Sequence, residues 1–315
     1  MNPVPKLDFF SEVLGLTFDK RCYEQAKLAL LGDPYIPKAR AGLSSLALLS
    51  LRLGLPLWRG RPFLDKKILI INLFNHKQTP IEAGWSIQKT QVQDFRGKRL
   101  TYDSHNGTDF AIPVGTPVLS AAAGKVVWVA NELNRGGRKI FIDHGEGLMT
   151  TYAHLARNTV KVGDEVEQGQ QIAWSGYSGL DAVISFPFGI PHVHFNVWFN
   201  GVPIDPFSNG STTSCWIGEY PSFENSHHVY RPSQYNSERV DAGIAMCRDE
   251  RIRKRLEMLP TLEARASGLL VQQNYYPTRF QKHLSPYIEQ YTRSPRLRVP
   301  FGADAFNAIV FRDEV

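Results

Sequence analysis

Cysteine is scarce in this chain. Its 315 residues hold three, Cys22, Cys215 and Cys247, which are far apart, odd in number and in no Cys-x-x-Cys spacing. That excludes a disulfide framework and a thiolate metal site as organising principles, and the three read as ordinary thiols. Long apolar runs are lacking too. The nearest to a membrane span is the Leu-rich stretch 41–58, bounded by Ala41 and Trp58, which contains Arg52 and Pro56 and is barely long enough. It reads as a buried helix, so no transmembrane span is expected. Peripheral membrane contact through an interfacial helix flanked by Lys38, Arg40, Arg59 and Arg61 is the minority reading. The stretch Met1-Asn2-Pro3-Val4-Pro5-Lys6-Leu7-Asp8 lacks the basic and apolar regions of a secretory signal, so no signal peptide is seen. Neither an internal repeat nor a low-complexity tract is found.

Acidic residues are sparse at one end only. The formal charge is +6, and residues 1–100 carry 16 Lys+Arg against 8 Asp+Glu, which leaves the remainder slightly acidic. Basicity surrounds no Arg-rich helix, aromatic platform or zinc-finger spacing, so nucleic acid is not a partner the sequence supports. With 43% hydrophobic content the chain can bury at least one sizeable core.

Hydrophobic periodicity changes twice along the chain. Residues 1–62 read as a helical segment: helical spacing runs over 22–31 and stops at Gly32, and a second run over 41–53 stops at Gly54 before Pro56. Residues 63–210 are β-rich. A buried strand is predicted over 68–74, followed by short strands at 117–119, 124–129, 138–142, 148–152 and 171–174 separated by glycine turns. Asp143-His144-Gly145-Glu146-Gly147 has hairpin chemistry, which assigns His144 to a turn. Residues 211–315 turn mostly helical, with a periodic run over 237–258 stopped by Pro260 and a last strand within 306–311. The sum is an α+β chain with a central antiparallel β-sandwich or barrel-like core and helical N- and C-terminal extensions.

The chemistry concentrates in Pro191-His192-Val193-His194-Phe195. Strand side chains alternate faces, so His192 and His194 leave one side while Val193 and Phe195 leave the other. Upstream, Ser104-His105-Asn106-Gly107-Thr108-Asp109-Phe110 brackets a glycine with a His and a carboxylate, and the glycine lets the chain curl so both can meet one ion. His105, Asp109 and one imidazole of the later pair supply two nitrogens and one oxygen. That is the donor set of a catalytic zinc site with one open position. Taken singly, each has a plainer role: His105 as a turn cap, Asp109 bonded to its own turn, His154 as a strand-end histidine. Lys125 and Lys161 read as solvated, and His76, His227, His228 and His283 as surface or underlying residues.

These motifs, continued by Ala123-Gly124-Lys125-Val126-Val127, Tyr152-Ala153-His154-Leu155 and Val162-Gly163-Asp164-Glu165-Val166-Glu167-Gln168-Gly169-Gln170, closely resemble the lysostaphin-type zinc metallopeptidases over roughly a third of the chain. The resemblance implies a metallopeptidase core and one zinc ion per chain, held by His105, Asp109 and His194. It places His154 and His192 as the catalytic pair beside the metal. It implies an endopeptidase that hydrolyses peptide bonds in peptidoglycan stems or cross-bridges, and a cell-envelope or secreted location. Either histidine can carry the proton, since an unperturbed imidazole titrates at about pH 6.5.

Two other classes compete. Residues 162–173 also resemble the strand-turn-strand of biotinyl and lipoyl carriers, but no modified-lysine turn accompanies them. A catalytically silent relative that binds cell wall or activates another hydrolase would lack zinc ligands, and all are present. Residues 180–190 depart from the family, being longer and more apolar than its usual short turn, and are expected to form a loop walling the cleft. The N-terminal helices are candidates to cover it.

Overall fold

The computed structural model describes residues 5–63, 65–218 and 220–315. Half of the Met1 to Asp8 stretch in which no signal is seen therefore lies outside the described residues. In chain order the strands are β1 (Ala39–Arg40), β2 (Lys67–Asn72), β3 (Trp85–Ser86), β4 (Thr108–Ala111), β5 (Pro117–Leu119), β6 (Gly124–Glu132), β7 (Gly137–Asp143), β8 (Leu148–Asn158), β9 (Glu165–Val166), β10 (Gln171–Ser175), β11 (His192–Phe199), β12 (Val202–Ile204) and β13 (Ala308–Phe311). The α-helices are α1 (Lys20–Leu31), α2 (Leu51–Trp58), α3 (Leu180–Ser185), α4 (Ser237–Ala245), α5 (Glu250–Glu257) and α6 (Leu262–Tyr275).

The architecture is mixed α+β around one large, mostly antiparallel sheet. Its strands run β13-β2-β4-β11-β8-β7-β6-β9, with β10 joining β5 to β8 and β12 beside β11. The parallel pair in this sheet is β13 with β2. No pairing among the described residues links β9 to β13, so the sheet is open and the expected barrel-like closure is not found. One end of the order is the short β9, paired only to Gly124 and Lys125, and the other is β13. Packed segments cover the two faces instead.

Alternation along β11 decides what each face does. Val193, Phe195 and Val197 enter the larger core, together with Phe110, Tyr152 and the fully buried Trp216. Residues from the far end of the chain, among them Leu297, Val299 and Phe301, complete that core. On the opposite face Trp198 lies 5.7 Å from Phe141 and 6.1 Å from Tyr275 of α6, within a second core that α4, α5 and α6 cover. His192 and His194 emerge on the same face as Trp198, at the end of the strand where Tyr275 closes α6.

Local chemistry accounts for the helix boundaries. Asp19 caps α1 by accepting the Cys22 amide at 2.7 Å, and Gly32 ends it at φ +72°. The Leu-rich stretch differs from expectation. It forms a 3-10 turn over Leu43–Leu48 and then α2, which runs through Gly54 and Pro56. A Cβ on Gly54 would stand 2.6 Å from the Gly189 carbonyl oxygen, so this glycine permits a close approach and does not end a helix. Leu53 and Leu57 of α2 are buried, whereas Leu43 is 88% exposed, so the predicted buried helix holds only for the second half. No helix among the described residues is long and apolar enough to cross a membrane. The run over 237–258 is likewise divided, because Asp249 accepts the Arg251 and Ile252 amides and starts α5 afresh. Residues 180–190, expected as a loop, begin with the short helix α3.

The β7–β8 hairpin holds two buried titratable neighbours. Burial raises the Asp143 carboxyl to about 6, against the hydrogen bonds it accepts from Gly145, Tyr235 and Ser233. Burial also pushes the His144 imidazole down to about 3, and its ring is bonded to the Ala123 carbonyl and Thr150. On acidification from pH 6 to 4 the folded state gains a proton at Asp143 and is stabilised. Over the same window the unfolded state alone holds the His144 proton, which is destabilising. The two effects oppose each other. Asp143→Asn leaves only the second, so denaturant titrations from pH 6 to 4 should show stability falling more steeply than in the unchanged chain, by about 1.4 kcal/mol per pH unit.

Candidate metal centre

Strand register builds this site. Antiparallel pairing sets His194 directly opposite Asp109 and His192 opposite Ala111, while His194 also faces Ala153 of β8. Directly opposed residues share a face, so the Asp109 carboxylate and the His194 imidazole meet across β4 and β11. His105 reaches the same point from the loop before β4. Its Nε2 lies 3.0 Å from Asp109 Oδ1 and 3.1 Å from His194 Nδ1, and His194 Nδ1 lies 2.7 Å from the same oxygen. All three atoms fall within 4.8 Å of one another.

Gly107 makes the approach possible. A Cβ there would stand 2.7 Å from the Phe195 carbonyl oxygen and 2.8 Å from His194 Cε1. The glycine thus clears space for β11, and close packing, more than a curl of the chain, is what demands it.

Hydrogen bonds at the rear fix what each group presents. A carbonyl oxygen only accepts, so His105 Nδ1–H donates to the Leu73 carbonyl at 2.7 Å and leaves Nε2 as a lone pair. Asn72 Nδ2–H donates to Asp109 Oδ2 at 2.8 Å, leaving Oδ1 to face the imidazoles. Burial would raise the Asp109 carboxyl, but the positive potential of His105, His192 and His194 holds it well below the carboxylate range. Burial pushes the His194 imidazole down, against Asp109 beside it. Two imidazole nitrogens and one carboxylate oxygen converge in a buried place, where a proton shared between His194 Nδ1 and Asp109 Oδ1 or a cation at their centre balances the charge, and the mixed imidazole–carboxylate set suits zinc.

The other two predicted residues flank this cluster. His192 Nδ1–H donates to the Ile190 carbonyl at 2.7 Å, and its Nε2 lies 3.8 Å from Asp109 Oδ2. His154 Nδ1–H donates to the Ser178 carbonyl at 2.8 Å, and its Nε2 lies 3.6 Å from Asp181 Oδ2. The two rings stand 4.8 Å apart, each with Nε2 free of a backbone partner. Burial holds the His154 imidazole below its ordinary value, and the Asp181 charge opposes this. His154 sits at φ +60°, in the left-handed region. Pairing of β7 with β8 shifts register between Arg138 and Ile140, opposite Ala153 and His154. This β-bulge turns the histidine toward the cluster.

Of the histidines assigned elsewhere, His144 belongs to the hairpin, His76 lies 2.6 Å from Asp205, and His228 faces Glu146. None joins the centre. Several contributors escape sequence reasoning. Asn72 left a faint signal, a lone amide in an apolar strand. The Leu73, Ser178 and Ile190 carbonyls left none, because any residue supplies one. Ser178 is itself propped from the N-terminal segment: Tyr177 and Gly179 donate backbone amides to the Val13 and Leu14 carbonyls at 3.1 Å. A cavity of about 130 Å³ opens beside His154 and His194. Asp181 and Ile184 of α3 line it, as do Ile36 from the N-terminal segment and Tyr275 from the C-terminal one.

Residues 103–206 match the profile of Peptidase family M23. Peptidoglycan DD-endopeptidase ShyA of Vibrio cholerae is 35% identical over 131 residues, covering 40% of this chain and 28% of its own length. Glycyl-glycine endopeptidase ALE-1 of Staphylococcus capitis is 32% identical over 139 residues, covering 42% and 36% respectively. Among solved structures, the catalytic domain of the antimicrobial peptidase lysostaphin from Staphylococcus simulans is 35% identical, with a TM-score of 0.27, over 35% of this chain and 74% of that one. The chain spans between 20% and 45% of the length of the first curated relatives it matches.

The rear hydrogen bonds predict a measurable dependence. Asn72→Ala frees Asp109 Oδ2 and should weaken divalent-ion affinity by about 10–100-fold, read by competition with a chelating dye, with the circular dichroism of the fold retained.

Proposed function

We propose, from the match of residues 103–206 to Peptidase family M23, that the chain is a zinc-dependent endopeptidase that hydrolyses peptide bonds in peptidoglycan stems or cross-bridges. The observation that carries this reading is the convergence of His105 Nε2, Asp109 Oδ1 and His194 Nδ1, with the His154 and His192 rings 4.8 Å apart beside it. A peptidoglycan substrate implies work in the cell envelope or outside the cell. The names of ShyA and ALE-1 support the substrate class.

Held by His105, Asp109 and His194, one zinc ion would supply a Lewis acid for the scissile carbonyl and a water acidic enough to react near neutral pH. The chain's own residues handle protons and charge. Ser178 orients His154 so that Nε2 presents a lone pair, and burial keeps the neutral, proton-accepting form in place near pH 7. Asp181 stabilises the imidazolium once the proton arrives. The proton then passes to the departing amine nitrogen. His192, oriented by the Ile190 carbonyl and 4.8 Å from the His154 ring, is the group that donates to the oxyanion.

Purified peptidoglycan incubated with the protein, with and without a zinc chelator, tests the reading by mass spectrometry of the released ends. New amino termini that vanish with chelator are expected. New reducing sugar ends, or an intact polymer with zinc-loaded protein, would overturn it. His154→Ala should lower kcat by about 10²–10⁴-fold with zinc content unchanged.

A further inference from the structure

The cavity beside the centre contains a guanidinium that nothing in the mechanism uses. Arg135 lines it together with His154 and His194. Its guanidinium stacks on Trp85 at 3.8 Å, with Tyr275 and Tyr276 at 5.2 and 5.6 Å. One nitrogen, Nη1, donates to the Tyr275 carbonyl. Aromatic stacking and one backbone bond fix the plane of the group without neutralising it.

Three other little-exposed arginines sit in ion pairs, Arg96 with Asp94, Arg279 with Asp249 and Arg296 with Glu146. The buried Arg298 has no ion pair among the described residues, but Asn225 Oδ1 and the Phe301 carbonyl engage its guanidinium. Arg135 makes no such pair among the described residues. Glu132 carries the nearest unused-looking charge, yet Lys139 Nζ at 2.7 Å and the Tyr276 hydroxyl at 2.9 Å already engage it. Asp181, the acidic group lining the cavity, faces His154. The cavity therefore has an acidic wall at His154 and an uncompensated cation at Arg135. The two are held in fixed relation, since the Gly136 carbonyl, next in the chain, accepts the His154 amide at 2.8 Å.

We propose that Arg135 anchors a carboxylate subsite: the peptide accepted here carries a free carboxylate near the scissile bond, and that carboxylate takes the open edge of the Trp85-stacked guanidinium. The planar fork of an arginine matches a carboxylate, and partial burial strengthens the bond. Repulsion from Asp181 sets the orientation, keeping the substrate's acidic end away from His154. This inference rests on the endopeptidase reading and names the substrate feature that selects the peptide.

The test uses the zinc-loaded full chain and two probes, a peptidoglycan stem pentapeptide and the same peptide with every carboxylate converted to carboxamide. Affinity is read by calorimetry and turnover as kcat/KM. The unchanged protein should bind the acid at least about tenfold more tightly than the amide. Arg135→Gln should bring that ratio close to one while leaving affinity for the amide and the zinc content unchanged. Arg135→Lys, which keeps the charge and loses the fork, should fall between. Any direct contact of carboxylate with zinc is common to all three proteins and cancels in the comparison. A ratio near one in the unchanged protein, or the same ratio in a folded Arg135→Gln, overturns the subsite. Should Arg135→Gln not fold, the unchanged protein and Arg135→Lys decide. Arg135-dependent preference without cleavage sustains the subsite and removes the endopeptidase reading; chelator-sensitive cleavage without preference does the reverse.

Discussion

Everything at this centre depends on the register between β4 and β11. A shift of one residue would carry His194 through the sheet into the apolar core and bring Val193 or Phe195 to the carboxylate. Several features hold the register at once. Val193 and Phe195 are fully buried with Phe110 and Tyr152, so a slip would expose them and bury imidazoles. Gly107 is the single side-chain type that fits beneath His194 and the Phe195 carbonyl. The hydrophobic core and the polar cluster thus enforce the same alignment, which is the agreement between levels that a single folded state requires.

How far the site could be read in advance follows from what kind of atom does each job. Alternation in the His192 to Phe199 run and the His105 to Asp109 spacing place side chains, and side chains are what a sequence spells out. Their meeting was legible for that reason, as were the β7–β8 hairpin and the terminal β13. Backbone carbonyls that set ring orientation, and the bulge that turns His154, belong to the fold as a whole. No residue type marks them. Gly54 and Pro56 misled in a related way. Both are strong local punctuation, but packing of Leu53 and Leu57 and the bond from Trp58 Nε1 to the Gly189 carbonyl at 3.0 Å hold α2 together through them.

The helical segments outside the matched region turn out to be more than covers. Val13 and Leu14 buttress the loop whose Ser178 carbonyl orients His154, so the N-terminal segment supports the centre as well as lining its cavity. Ile36 from one extension, Ile184 from α3 and Tyr275 from the other surround the space where a ligand would lie. The polar cluster thus lies within the matched region, while much of the cavity wall comes from segments outside it.

The parallel pairing of β13 with β2 joins residues 308–311 to residues 67–70. During vectorial synthesis the N-terminal partner emerges first and waits for more than two hundred further residues before its neighbour leaves the ribosome. Until then β2 presents one bare edge, and Leu297, Val299, Phe301 and Phe306 are missing from the core beneath. A nascent chain halted between Phe199 and Ala308 would hold His105, Asp109 and His194 in an unfinished shell, short of the strand that seals the β2 edge.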